Sequence, residues 1–215
     1  LGDLYLDMDQ NKDAQHSYIE ALELSRKEKR QNEGELLLSL GNISWHEDDE
    51  EQALKYYLDA QSFYEQMGNK AMSGESLLKI GRVYLKQKRY DKAESSGRIA
   101  LRIFQDIGDL LNSANLFAFF TQLYHEQNRF LEALRESAKS IDFFQNLQLH
   151  KHLGQGFELR AQIYTELRDS SNAHKSYREA LACYKKINSR KDIITYFCCI
   201  FLRGFKIIVI KHKLI

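Results

Sequence analysis

Apolar residues recur at steps of three and four along most of the chain, the spacing that places them on one face of an α-helix. In one stretch Leu37, Leu40, Gly41, Ser44 and Trp45 share a face. After a polar break at Glu47-Asp48-Asp49, the residues Ala53, Leu54, Tyr57, Ala60 and Tyr64 share another. Two antiparallel helices joined by a tight turn follow from that pattern. It returns with Leu77, Ile80, Gly81, Tyr84 and Leu85, a break at Gln87-Lys88-Arg89, then Tyr90, Ala93, Gly97, Ala100, Leu101 and Phe104. Further helix pairs are predicted near 110–127 with 130–147, and near 152–167 with 170–187.

The pairs keep a period of 40 residues: Leu40-Gly41, Ile80-Gly81, Phe120-Thr121 and Arg160-Ala161 stand 40 apart, and so do Ala53, Ala93, Ala133 and Ala173. Such periods mean stacked units, none of which buries its apolar face alone. The predicted fold is all-α: a solenoid of about five antiparallel helix pairs over residues 1–192, with repeats near 1–29, 33–68, 73–108, 112–148 and 152–188. Gly41, Gly81, Ala53 and Ala60 are expected where two helix backbones approach closely. Gly68 and Gly108 read as helix stops. Residues 193–215 break the pattern and read as a partial or atypical capping segment, because β-branched residues at 207–210 replace the expected second helix. The apolar run 193–202 falls well short of the roughly 20 residues that span a bilayer.

Composition narrows the function classes. The chain has no Pro, as an almost wholly helical protein tolerates best. A net charge of +1 gives no general drive toward nucleic acid or membrane. Three cysteines (Cys183, Cys198, Cys199) form an odd set without ligand-like spacing, which favours a reducing, cytoplasmic setting over a disulfide framework. The chain opens in mid-repeat at Leu1 rather than at Met, so its natural start is expected to lie upstream.

No catalytic constellation stands out. His150 and His152 are two apart and point to different sides of a helix. Gly154-Gln155-Gly156 lacks the lysine and third glycine of a phosphate loop, and the acidic run 47–51 lacks the alternating ligands and turn glycine of a calcium loop. No enzyme activity, cofactor or metal is expected.

The small and aromatic markers resemble the tetratricopeptide repeat. They run Leu1-Gly2-Tyr5-Ala14-Tyr18-Ala21, Leu40-Gly41-Trp45-Ala53-Tyr57-Ala60, Ile80-Gly81-Tyr84-Ala93-Ala100, Tyr124-Ala133 and Tyr164-Ala173-Tyr177-Ala180. The period exceeds that family's usual 34 or so, and Glu65, Gln105, Gln145 and Lys185 replace its closing Pro. Both departures imply lengthened helices, as in the long-repeat branch of bacterial signalling regulators and adaptor proteins. The resemblance implies a right-handed superhelix that binds a protein or peptide, as an adaptor or as the sensor part of a bacterial regulator.

Stacking should leave the first helices lining a concave groove. Groove positions read Asp3 and Asp7; Ser39, Asn42 and His46; Lys79, Arg82 and Lys86; Phe119, Gln122 and Glu126; Leu159, Gln162 and Glu166. Asn42, Lys79, Arg82, Lys86, Phe119, Gln122 and Gln162 are the candidate peptide-binding residues. Amides pair with a peptide backbone and the three cations with carboxylates, so an acidic partner is expected. No nucleic-acid partner and no membrane span are expected. The alternative is a structural module that dimerises through 193–215.

Overall fold

The computed structural model describes residues 11–28 and 32–187, with side chains from Gln15 onward in the first helix. The expectations at Leu1, Gly2, Asp3, Tyr5 and Asp7, at the Ala14 side chain, at Cys198 and Cys199, and for 193–215 lie outside the described residues. Among the described residues there are nine helices and no strand: α1 Asn11–Glu28, α2 Glu33–His46, α3 Glu50–Gln66, α4 Lys70–Lys86, α5 Tyr90–Asp106, α6 Leu110–Glu126, α7 Phe130–Asn146, α8 His150–Glu166 and α9 Ser170–Lys186. The fold is an all-α helical-repeat solenoid. Its helices fall into two compact units, one ending at Arg129 and one beginning at Phe130.

From α3 onward every helix has 17 residues, and each helix after α3 starts 20 after the one before. The same three-residue turn sets that step each time. Its middle residue has a positive φ: Asp48 60°, Gly68 68°, Lys88 57°, Gly108 72°, Asn128 59°, Gln148 55° and Arg168 59°. This left-handed residue reverses the chain after the last helical turn, a task usually given to glycine. Gly68 and Gly108 hold it as expected; the other five positions do the same with side chains attached.

The following residue caps the next helix. Asp49, Asn69, Asp109 and Asp169 accept a hydrogen bond from the backbone N–H of the third residue on: Gln52, Met72, Asn112 and Asn172. These caps start α4 at 70, ahead of the expected repeat start near 73, and α6 at 110, as the expected helix near 110–127 has it, because the capping side chain satisfies an otherwise unpaired N–H of the first turn.

The core of the first unit runs through Leu37, Leu40, Ile43, Ala53, Tyr57, Ala60, Tyr64, Ile80 and Val83. Its glycines make room for aromatic rings. A Cβ on Gly41 would stand 2.5 Å from the Tyr57 ring, so Gly41 is the seat of an aromatic ring. Gly81 faces both a ring, Phe119 at 3.2 Å, and the Ala93 carbonyl at 3.5 Å. The ring-on-glycine contact recurs with Tyr64 over Gly34 (2.5 Å) and Phe104 over Gly74 (2.9 Å), and in the second unit with Tyr184 over Gly154 (2.6 Å).

Candidate functional site

In the first unit, α2 and α4 present the candidate residues. Helical spacing puts Asn42 on α2, and Lys79, Arg82 and Lys86 along one stripe of α4. The Asn42 Oδ1 accepts from two donors, the Tyr57 hydroxyl at 2.9 Å and the Lys79 Nζ at 3.1 Å. Lys79 also stands 3.7 Å from Glu75 and 5.8 Å from the centre of the Tyr57 ring. One amide oxygen thus joins α2, α3 and α4. Both of its lone pairs are used, while the Asn42 amide N–H groups make no hydrogen bond among the described residues.

The electrostatics follow from this crowding. Burial lowers the Lys79 pKa, and Glu75 pulls the other way. Burial also lowers that of Arg82, against the pull of Tyr57 and Glu75, yet Arg82 is exposed to solvent and stays charged. Arg82 has no hydrogen bond or ion pair among the described residues. Burial pushes the Tyr57 hydroxyl pKa up, so it remains a protonated donor to Asn42 at any ordinary pH.

Lys86 is committed elsewhere. Its Nζ lies 2.5 Å from Asp48 Oδ1, 3.5 Å from Glu50 Oε1 and 4.8 Å above the Trp45 ring. The hydrogen bond and charge of Asp48 raise the Lys86 pKa, and Lys86 in turn lowers that of Asp48. The acidic run 47–51 is therefore a fastening: Asp48 and Glu50 hold Lys86, and Asp49 caps α3.

The other expected residues divide. Phe119 is 4% exposed and fills the room left by Gly81 and Gly97, so it belongs to the core and not to a groove surface. Gln122 on α6 is exposed and donates to Glu126 at 3.1 Å. Gln162 is half-buried on α8, within the second unit. The sequence reading missed Tyr57 and Glu75 as members of the cluster. Glu75 had a signal, since it precedes Lys79 by four residues on one helix.

Among the described residues no group of three or more His, Cys, Asp or Glu side chains could hold a metal ion. Nor is any described helix long and apolar enough to cross a membrane.

Models of the tetratricopeptide repeat match residues 73–146 and 1–28, and the solved structures that this fold resembles include tetratricopeptide-repeat proteins. The chain carries tetratricopeptide repeats. Repeats of that family generally build non-enzymatic scaffolds for protein interaction. Aspartyl phosphate phosphatase F from Bacillus subtilis superposes with a TM-score of 0.86 at 15% identity, over 94% of this chain and 54% of that one. The Rap conjugation gene regulator of plasmid pLS20, solved in complex with the Phr* peptide, gives 0.76 at 14% identity, over 96% and 57%. This tetratricopeptide-repeat chain thus spans a little over half the length of each, and the likeness is one of fold. By sequence it is 26% identical to the uncharacterized protein ycf37 of Pyropia yezoensis, across 67% of this chain and 78% of that protein.

Proposed function

We propose that this tetratricopeptide-repeat chain is a protein- or peptide-binding scaffold whose first-unit site centres on Asn42, Lys79 and Arg82. The observation that carries the reading is the Asn42–Lys79 hydrogen bond between two successive first helices, with donors left over beside it. The Asn42 amide N–H groups suit a peptide carbonyl, and the Arg82 guanidinium suits a carboxylate through two parallel hydrogen bonds. An acidic peptide meets both. The internal pairing of Lys79 fixes the Asn42 amide in place, so little side-chain order is lost on binding. Gln122 on α6 is a further contact of the same unit, and Gln162 a polar contact of the second unit in its own right. Lys86, held by Asp48 and Glu50, is a weaker candidate than its place in the stripe implied.

A peptide complex of a fold neighbour, the pLS20 regulator, supports the same mode of use. The role is that of an adaptor or of the sensor part of a larger bacterial regulator, in the cytoplasm. The test is capture of partners from lysate by the wild-type chain and by Arg82→Glu, with circular dichroism to show that both fold alike. Arg82→Glu is cleaner than a change at Lys79, which would also take one of two donors from Asn42 and the ion-pair partner from Glu75. A partner whose affinity drops more than about tenfold supports the site; one held equally by both proteins rejects it.

A further inference from the structure

We infer that the exposed face of α9 is a docking surface for an anionic lipid bilayer. Ser171, His174, Lys175, Arg178, Ala182, Lys185 and Lys186 are all exposed, and at 100° per residue they fall on one stripe of this helix. The four cations of that stripe have no hydrogen bond or ion pair among the described residues. In the first unit, by contrast, Lys79, Lys86 and Arg98 are each paired with a carboxylate. The acid nearest the stripe, Glu179, acts electrostatically on Arg160, whose pKa burial lowers and Glu179 helps to raise. Lys185 and Lys186 complement the carboxyl end of the helix dipole. Lys175 and Arg178 stand in mid-helix, where the dipole gives them no such reason.

The distribution of charge along the sequence points the same way. Residues 1–174 carry 21 basic and 28 acidic side chains, whereas 175–215 carry 10 basic and 2 acidic. A net charge of +1 therefore hides two opposite charges. Beyond α9 the sequence keeps its cations (Arg190, Lys191, Arg203, Lys206, Lys211 and Lys213) and interleaves them with the apolar runs 193–202 and 207–210. Clustered cations alone would suit any polyanion. Cations alternating with long apolar runs suit a surface that offers phosphate and hydrocarbon together, which a bilayer does and a nucleic acid does not. The contact lies on the membrane surface, without a span.

The test uses the full 215-residue chain and flotation with phosphatidylcholine vesicles that contain or lack phosphatidylserine. The wild type should float with the anionic vesicles, remain behind with the neutral ones, and be released by high salt. A variant with Lys175→Gln, Arg178→Gln, Lys185→Gln and Lys186→Gln, all at exposed positions, should lose about two orders of magnitude in vesicle affinity. Circular dichroism would show its helices intact, and the gentler pair Lys175→Gln with Arg178→Gln should lose about tenfold. The inference is overturned if the wild type does not float, if it floats equally with neutral vesicles, or if both variants bind as the wild type does. Retention on single-stranded DNA without flotation would overturn it in favour of a nucleic-acid surface. Loss of partner capture by Arg82→Glu leaves flotation unchanged, so the two sites fail separately.

Discussion

Gly154 lets the Tyr184 ring approach to 2.6 Å from the place where a side chain would begin. Adding a methyl there gains about 1 kcal/mol of helix propensity. It also drives a carbon into a ring that is only 3% exposed, at a cost of about 1–3 kcal/mol or more. The clash wins, and Gly154→Ala should lower the midpoint of urea unfolding. Tyr64 presents the opposite case. Its hydroxyl is buried with no hydrogen-bond partner among the described residues, and burial pushes its pKa to about 12. Removing an unsatisfied group leaves nothing orphaned, so Tyr64→Phe should match or exceed the wild type in thermal melting.

His152, whose ring centre lies 5.1 Å from that of Phe144, has its pKa lowered by burial and by Lys151. A lowered histidine favours the folded state while neutral. That contribution is complete above the ordinary value of 6.5 and is lost as pH falls through the folded-state value. Between pH 7 and pH 5 the wild type should lose more stability than His152→Gln, as read by parallel urea titrations.

At the scale of elements, the three-residue turn sets the beat. Lys88 holds φ at 57° with a side chain attached, a conformation that costs an L-residue about 1–2 kcal/mol. Glycine relieves most of this while adding entropy to the unfolded chain. Lys88→Gly should therefore stabilise by roughly 0.5–1 kcal/mol in denaturant unfolding. Asp109 both accepts from the Asn112 N–H at 2.9 Å and holds the Asn112 side chain at 2.8 Å. Losing that cap in Asp109→Ala should cost about 1 kcal/mol in the same experiment.

Helix pairs were legible because their apolar period is local: every residue of the Ala53, Leu54, Tyr57 and Ala60 face lies within two turns of its neighbour. The turns were legible as polar breaks at 47–49 and 87–89 and as glycines at 68 and 108, but the left-handed backbone at Lys88, Gln148 and Arg168 carries no signature in the sequence. The candidate site was legible as residue types but not as contacts. Lys79 reaches Asn42 across 37 residues and Lys86 reaches Asp48 across 38, so one expected stripe of free cations divides into two fastened lysines and one open arginine. Phe119 was misplaced for a related reason: its burial depends on Gly81 and Gly97, which stand on other helices.

For the whole molecule, stability is a sum over neighbouring helices, with no single centre. The core of the first unit and the Tyr184–Gly154 contact of the second share no residue. Gly154→Ala should therefore speed amide hydrogen exchange mainly in α8 and α9, and uniform acceleration from α2 to α9 would show tighter coupling than nearest-neighbour packing supplies.

The uniform step of 20 residues has a consequence for how such a chain can change length. Moving 40 residues along returns the backbone to the same turn and to another aromatic over another glycine, as from Gly34 and Tyr64 to Gly74 and Phe104. An in-frame duplication of 40 codons would therefore join surfaces already matched to each other. A deletion of 20 would keep every helix intact and still set two helices of the same kind side by side, with no ring for the glycine to receive. Growth and loss by whole pairs are tolerated by this architecture, and odd helices are not.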